Sequence, residues 1–148
     1  MTTFELIQSI ASIATAIGVA LAAWQLMISR RQSQSEFEDS FSTQYRTISS
    51  DLPLEALVGR ELDGPTLEAS LRAFYNYFDL SNEQAFLAAN NRLRQETWAN
   101  WREGIEQHLA RPAFRQAWQR LAPDLDGSFD DFKRLLPPDL RGEARIAG

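Results

Sequence analysis

No cysteine occurs anywhere in the 148 residues. Disulfides, thiolate nucleophiles and cysteine-ligated zinc are excluded, and the composition fits a reducing compartment. A single histidine, His108, excludes a histidine-rich metal site. Glycine is sparse and never clustered, so no P-loop or other glycine-rich phosphate cradle is present. The sequence therefore implies no cofactor and no metal. Proline is missing before Pro53, and Gly18 is the one glycine before Gly59. Little interrupts a helix over the first third of the chain. Lysine is nearly missing too, Lys133 being the one lysine among 15 basic residues. The net charge is −5, and every acidic residue except Glu5 lies beyond Ser35, so the C-terminal part is the acidic one. That balance disfavours nonspecific nucleic-acid binding.

What the sequence does have is one long apolar run, Phe4 to Ile28, closed by Arg30 and Arg31. A membrane-spanning helix needs about 20 mostly apolar residues, and this run supplies them with one charge, Glu5, at its edge. Trp24 and the arginine pair form the aromatic and basic flank expected where a helix leaves a bilayer, and the positive-inside rule puts the C-terminal part in the cytoplasm. Two other readings compete. A cleaved signal peptide is suggested by the small residues at Ala20-Leu21-Ala22 but would want a basic start, which Met1 to Glu5 do not provide. A surface-lying amphipathic helix is suggested by Gln8, Ser9, Ser12, Thr15 and Gln25.

At the helical period the run has two unlike faces. Leu6, Ile10, Ile13, Ile17, Leu21, Trp24 and Ile28 form the bulky one; Gln8, Ala11, Ser12, Thr15, Gly18, Ala22 and Gln25 form the small, polar one. Small residues let helices approach closely, and Ala14, Gly18 and Ala22 make a small-xxx-small pattern at its edge. This face is the expected site of self-association or of docking on another membrane protein. The bland alternative is that apolar spans are rich in alanine and glycine anyway; a sharper one is a pore lined by Gln8, Ser12, Thr15 and Gln25.

Beyond Arg31 the spacing of Phe37, Phe41, Tyr45 and Ile48 carries the helix on to about Ser50, for a length of roughly 70 Å at about 1.5 Å per residue. Asp51 to Pro65 reads as a loop with a short turn at Leu54 to Val58. Asp63-Gly64-Pro65 is a helix entry, and Leu67, Leu71, Phe74, Tyr75 and Phe78 make a core face over Thr66 to Leu80. Ser81 and Gln84 match a capping box, predicting a second short helix to about Ala89 that buries Phe86 and Leu87. Further helices are expected over Leu93 to Ala110 and Ala113 to Leu121, and from a cap at Ser128 over Phe129 to Leu136. The expected architecture is all-α: residues 1–31 a transmembrane helix and flanks, 32–136 a small cytoplasmic helical bundle, and 137–148 a disordered tail.

Catalytic candidates are thin. Asp79 and Glu83 lie four apart near Asn76 and Asn82, a pair suited to acid–base work or to holding a cation, but helix capping explains the same residues. His108 sits on an apolar stripe and reads as a hydrogen-bonded core histidine. Arg92, Arg94, Arg102, Arg111 and Arg115, with Arg120, interleave with Trp98, Trp101 and Trp118 and precede Asp124, Asp126, Asp130 and Asp131. These arginines are a candidate partner surface, or the internal complement of the aspartates.

The runs YNYFDLSNEQAFL, ETWANWREGIEQHLARPAFRQAWQRL and SFDDFKRLL, preceded by the span segment from Ala11 to Val19, make the chain resemble an uncharacterised group of short bacterial proteins with one N-terminal transmembrane helix and a tethered helical region. The resemblance covers about Ala11 to Leu135 and implies no functional residues. Some similarly built proteins carry labels suggesting phage abortive infection. The expectation is a single-pass bacterial inner-membrane protein that is not an enzyme and works as an interaction or scaffold module, its partners membrane lipid and either itself or another membrane protein. The alternative is a membrane effector of stress or phage defence whose oligomerised spans perturb the bilayer.

Overall fold

A computed structural model describes residues 2–125 and 127–141, with the side chain of Leu6 left out. All the regular structure among them is helical, and the fold is all-α. In order come α1 (Thr3–Asp51), α2 (Leu54–Leu57), α3 (Gly64–Ala89), α4 (Gln95–Leu109), α5 (Pro112–Leu121) and α6 (Asp130–Lys133), with single 3-10 turns at Ala122–Asp124 and Pro138–Leu140. The chain divides into two units, one ending at Glu36 and one beginning at Phe37. That boundary lies five residues beyond the expected one at 31/32.

The first unit is the larger part of α1. Its start is closed by a reciprocal pair: the Thr2 amide donates to Glu5 Oε2 at 2.8 Å and the Glu5 amide to Thr2 Oγ1 at 3.4 Å. Glu5 thus serves the free amides of a helix start, where a carboxylate is also favoured by the helix dipole. The helix is long and apolar enough to cross a membrane, and its apolar window is wholly exposed. Large apolar side chains from Ile7 to Ile28 are exposed rather than packed into a protein core.

The second unit is built around α3. Asp63 caps it, accepting from the Thr66 amide at 2.8 Å, and Pro65 occupies the first turn, where its missing N–H costs nothing. One side of α3 sends Phe74, Tyr77 and Phe78 into the main core with Ile105, Leu109, Phe114, Trp118 and Phe132. Phe78 meets Trp118 edge-on at 5.3 Å and Phe132 at 5.1 Å; Phe74 meets Phe114 at 5.2 Å. Another side sends Leu80 and Leu87 into a smaller cluster with Phe41 and Leu93. The stripe running on past Arg31 in the sequence is therefore covered by the unit's own helices at Phe41, which is 3% exposed and packs against Trp101 at 5.6 Å. Side-chain amides tie the loops down. Gln116 both accepts from the Leu62 amide (3.0 Å) and donates to its carbonyl (3.2 Å), and Asn82 accepts from the Phe132 amide (3.0 Å).

Four local expectations are corrected. Helix α3 does not break at Ser81: the buried Ser81 hydroxyl donates to the Tyr77 carbonyl at 2.8 Å, a bond made inside a continuing helix, and the core stripe runs on through Ala85 and Leu87. In that longer helix Phe86 points outward and is 49% exposed. Ser128 is not a cap, because its hydroxyl donates to Leu125; the residue before α6 is Phe129, in the left-handed region at φ 63°, held there by burial against Trp118 and Tyr75. Residues 137–141, expected to begin a disordered tail, are ordered. Leu140 is buried in the main core, Asp139 pairs with Arg115, and Arg141 donates to the carbonyls of Leu136 (2.7 Å) and Arg134 (2.9 Å). The rest of that stretch, 142–148, lies outside the described residues.

Candidate functional site

The sequence singled out two surfaces, and the structure adds a cavity. On α1, Gln8, Ala11, Ser12, Thr15, Gly18, Ala22 and Gln25 are all exposed. The hydroxyls of this face are already spent on their own helix: Ser12 donates to the Gln8 carbonyl and Thr15 to the Ala11 carbonyl, each at 2.9 Å. Satisfied hydroxyls of this kind lower the cost of placing the face in hydrocarbon, and leave the amides of Gln8 and Gln25 as its stronger hydrogen-bonding groups. A Cβ built at Gly18 meets nothing within 4 Å, so a neighbouring helix could approach there.

The arginines are distributed over the α3–α4 turn, α4 and α5, and three of the five are engaged. Arg94 forks onto Glu38 of α1, its Nε lying 2.9 and 3.1 Å from the two carboxylate oxygens. Glu38 is 7% exposed, and the Arg94 hydrogen bonds hold its carboxyl below the usual range against the opposing effect of burial. Arg94 is in turn pushed above its ordinary value by the same carboxylate. Arg102 pairs with Glu106 one turn on, at 2.8 Å, and Arg115 with Asp139. Arg120 reaches Glu68 at 2.7 Å. Among the described residues, Asp124, Asp130 and Asp131 are not the partners of these arginines; Asp131 pairs with Arg134 instead, at 3.0 Å. Arg92 and Arg111 form no ion pair among the described residues. Trp118 is core, while Trp98 and Trp101 are half-buried. Asp79 and Glu83, on one unbroken helix, are both exposed and border a shallow open groove against α1.

Sequence reasoning missed the cavity, of about 410 Å³, between the Phe37–Asp51 stretch of α1, α3 and α4. Its walls are aromatic on three sides: Phe41 and Tyr45 from α1, Tyr77 from α3, Trp101 from α4. None of its lining residues is acidic. Two polar groups line it, Gln84 from a buried position and His108 from a half-buried one. Gln84 is 6% exposed, yet its amide forms no hydrogen bond with another described residue and is not sealed from the cavity. His108 Nδ1 lies 2.8 Å from the Gly104 carbonyl. A carbonyl can only accept, so Nδ1 carries the proton and Nε2 is left as an acceptor. Burial lowers the His108 pKa, nearby Arg111 adds to the effect, and the Gly104 bond opposes it. The imidazole, packed between Tyr45, Tyr77 and Phe114, is consequently neutral at pH 7. Tyr77, almost wholly buried, has its phenol raised by the same desolvation and stays protonated. The one signal for this cavity in the sequence was the pair of polar residues Ser81 and Gln84 inside an apolar stripe, which capping chemistry explained equally well.

No family model, curated protein or solved structure matches this chain.

Proposed function

We propose that this protein is a single-pass, membrane-anchored interaction module of the bacterial inner membrane, with its helical unit on the cytoplasmic side and no catalytic role. The observation that carries the reading is the first part of α1, whose apolar window is long enough to span a bilayer and is wholly exposed. A soluble helix would bury such a window against a core of its own. Trp24, Arg30 and Arg31 at its C-terminal edge support insertion with the helical unit inside. The small face from Gln8 to Gln25 is where the span would meet a second copy or another membrane protein, so that the tethered unit is concentrated at the membrane to recruit or scaffold a partner.

A chain without cysteine makes the test direct. Single cysteines at Thr15 or Gly18, and separately at Ile13 or Ile17, are oxidised in native membranes. Disulfide-linked dimers confined to the first pair are the expected result. Equal crosslinking of both faces would remove the small face from the proposal, and extraction of the protein by alkaline carbonate would remove the membrane span. A membrane-impermeant maleimide should label a cysteine at Asn90 only after the cells are opened; labelling of intact spheroplasts would reverse the orientation.

A further inference from the structure

The cavity between α1, α3 and α4 raises a question at Gly104. This residue lies in the middle of α4, where glycine is the least favourable residue after proline. Its backbone is ordinary helix, and a Cβ built on it meets nothing within 4 Å. Neither a special dihedral angle nor a close approach of another element requires glycine there. What the missing side chain does is leave the cavity open, for Gly104 forms part of its wall. The neighbouring polar groups follow the same pattern. Gln84 is a buried residue whose amide has no hydrogen-bond partner among the described residues but stays accessible from the cavity, where water or a ligand can satisfy it. Arg46, at the edge of the cavity, has no ion pair among the described residues, and no carboxylate shares the cavity with it.

We propose that this cavity is a binding site for a small, flat aromatic anion of the arenecarboxylate type. The volume of about 410 Å³ falls within the range of small-molecule sites and suits one or two fused rings. The aromatic walls supply stacking and edge contacts for the ring. Arg46 is the cation for the carboxylate, and its planar fork can take both oxygens. The Gln84 amide can donate to or accept from a polar ring edge, and His108 Nε2 can accept from a ring N–H. A ligand with a cationic group would meet Arg46 with no acid to offset it, which sets the expected selectivity.

The test uses the full chain in lipid nanodiscs, with indole-3-acetate, indole and tryptamine as probes, titrated calorimetrically against empty nanodiscs. Indole-3-acetate should bind once per chain, indole about tenfold more weakly for want of the Arg46 contact, and tryptamine not measurably. Arg46→Gln should bring indole-3-acetate down to the level of indole. Gly104→Leu extends a side chain from a position in the cavity wall where a Cβ meets nothing within 4 Å, and should abolish binding while leaving the thermal midpoint unchanged or higher. Gln84→Met, which keeps the volume and removes the amide, should weaken binding without loss of helical signal, and it guards against a fold defect in the leucine variant. Binding that survives Gly104→Leu, tryptamine binding as well as indole-3-acetate, or no binding of indole-3-acetate at millimolar concentration each overturns the assignment. None of these outcomes depends on the orientation or association of the span, so the two proposals stand or fall separately.

Discussion

His108 shows how one residue type supports two readings until its surroundings are known. As a lone histidine on an apolar stripe it could be core or chemistry, and the structure makes it a half-buried residue packed on aromatic rings with one edge on a cavity. Its folded pKa is lowered, chiefly by burial, so the unfolded chain binds the proton more readily. The stability this contributes is fully present above the unfolded value near pH 6.5 and is lost as pH falls through the lower folded value. Between pH 7.5 and 5.5 the thermal midpoint of the full chain should therefore fall. His108→Gln, which cannot take up the proton, should flatten that slope; an unchanged slope would mean that another group titrates. Glu38 does not confuse the measurement. Its carboxyl is held below the ordinary 4.5 by Arg94, so its contribution is lost only at more acid pH.

At the scale of the element, α3 is the instructive case. The residues Ser81 to Gln84 satisfy a capping pattern, yet the helix passes through them because both ends of the apolar stripe are anchored, by Phe74 and Phe78 on one side and Leu80 and Leu87 on another. Burial of several large side chains outweighs a local cap worth about 1 kcal/mol. The consequence is a measurable contrast between two phenylalanines eight residues apart. Phe78→Ala removes a fully buried ring and should cost about 3–5 kcal/mol in denaturant unfolding. Phe86→Ser should shift stability by no more than about 0.5 kcal/mol, since that ring is already half in water. Equal effects would indicate the broken helix that the capping pattern suggests. Helix α1 makes a related point, because nothing in its regular backbone marks where one unit ends and the next begins.

For the whole molecule, the boundary after Glu36 predicts that the two units can be separated. A chain starting at Phe37 retains Glu38 for Arg94 and Phe41 for the smaller cluster, and should melt cooperatively with a strong near-ultraviolet aromatic signal. A chain starting at Leu52 loses both and exposes one wall of the cavity; it should melt at a lower temperature and bind aromatic dyes. Equal midpoints would show that the Phe37–Asp51 stretch adds no stability. Much of this architecture was legible beforehand. The all-α class, the uninterrupted first helix, the Asp63 entry and the core positions Phe74 and Phe78 follow from apolar periodicity and from where glycine and proline fall, both of which act over a few residues. The exposed apolar window was likewise written in composition. Tertiary structure decided what depends on partners distant in sequence: the fork of Arg94 on Glu38, the burial of Leu140, the continuity of α3, and the cavity that Gly104, Gln84 and Tyr45 line together. A local pattern can specify which face of a helix is apolar, but only the packing of several helices determines which polar side chains on that face find a partner and where space is left unfilled.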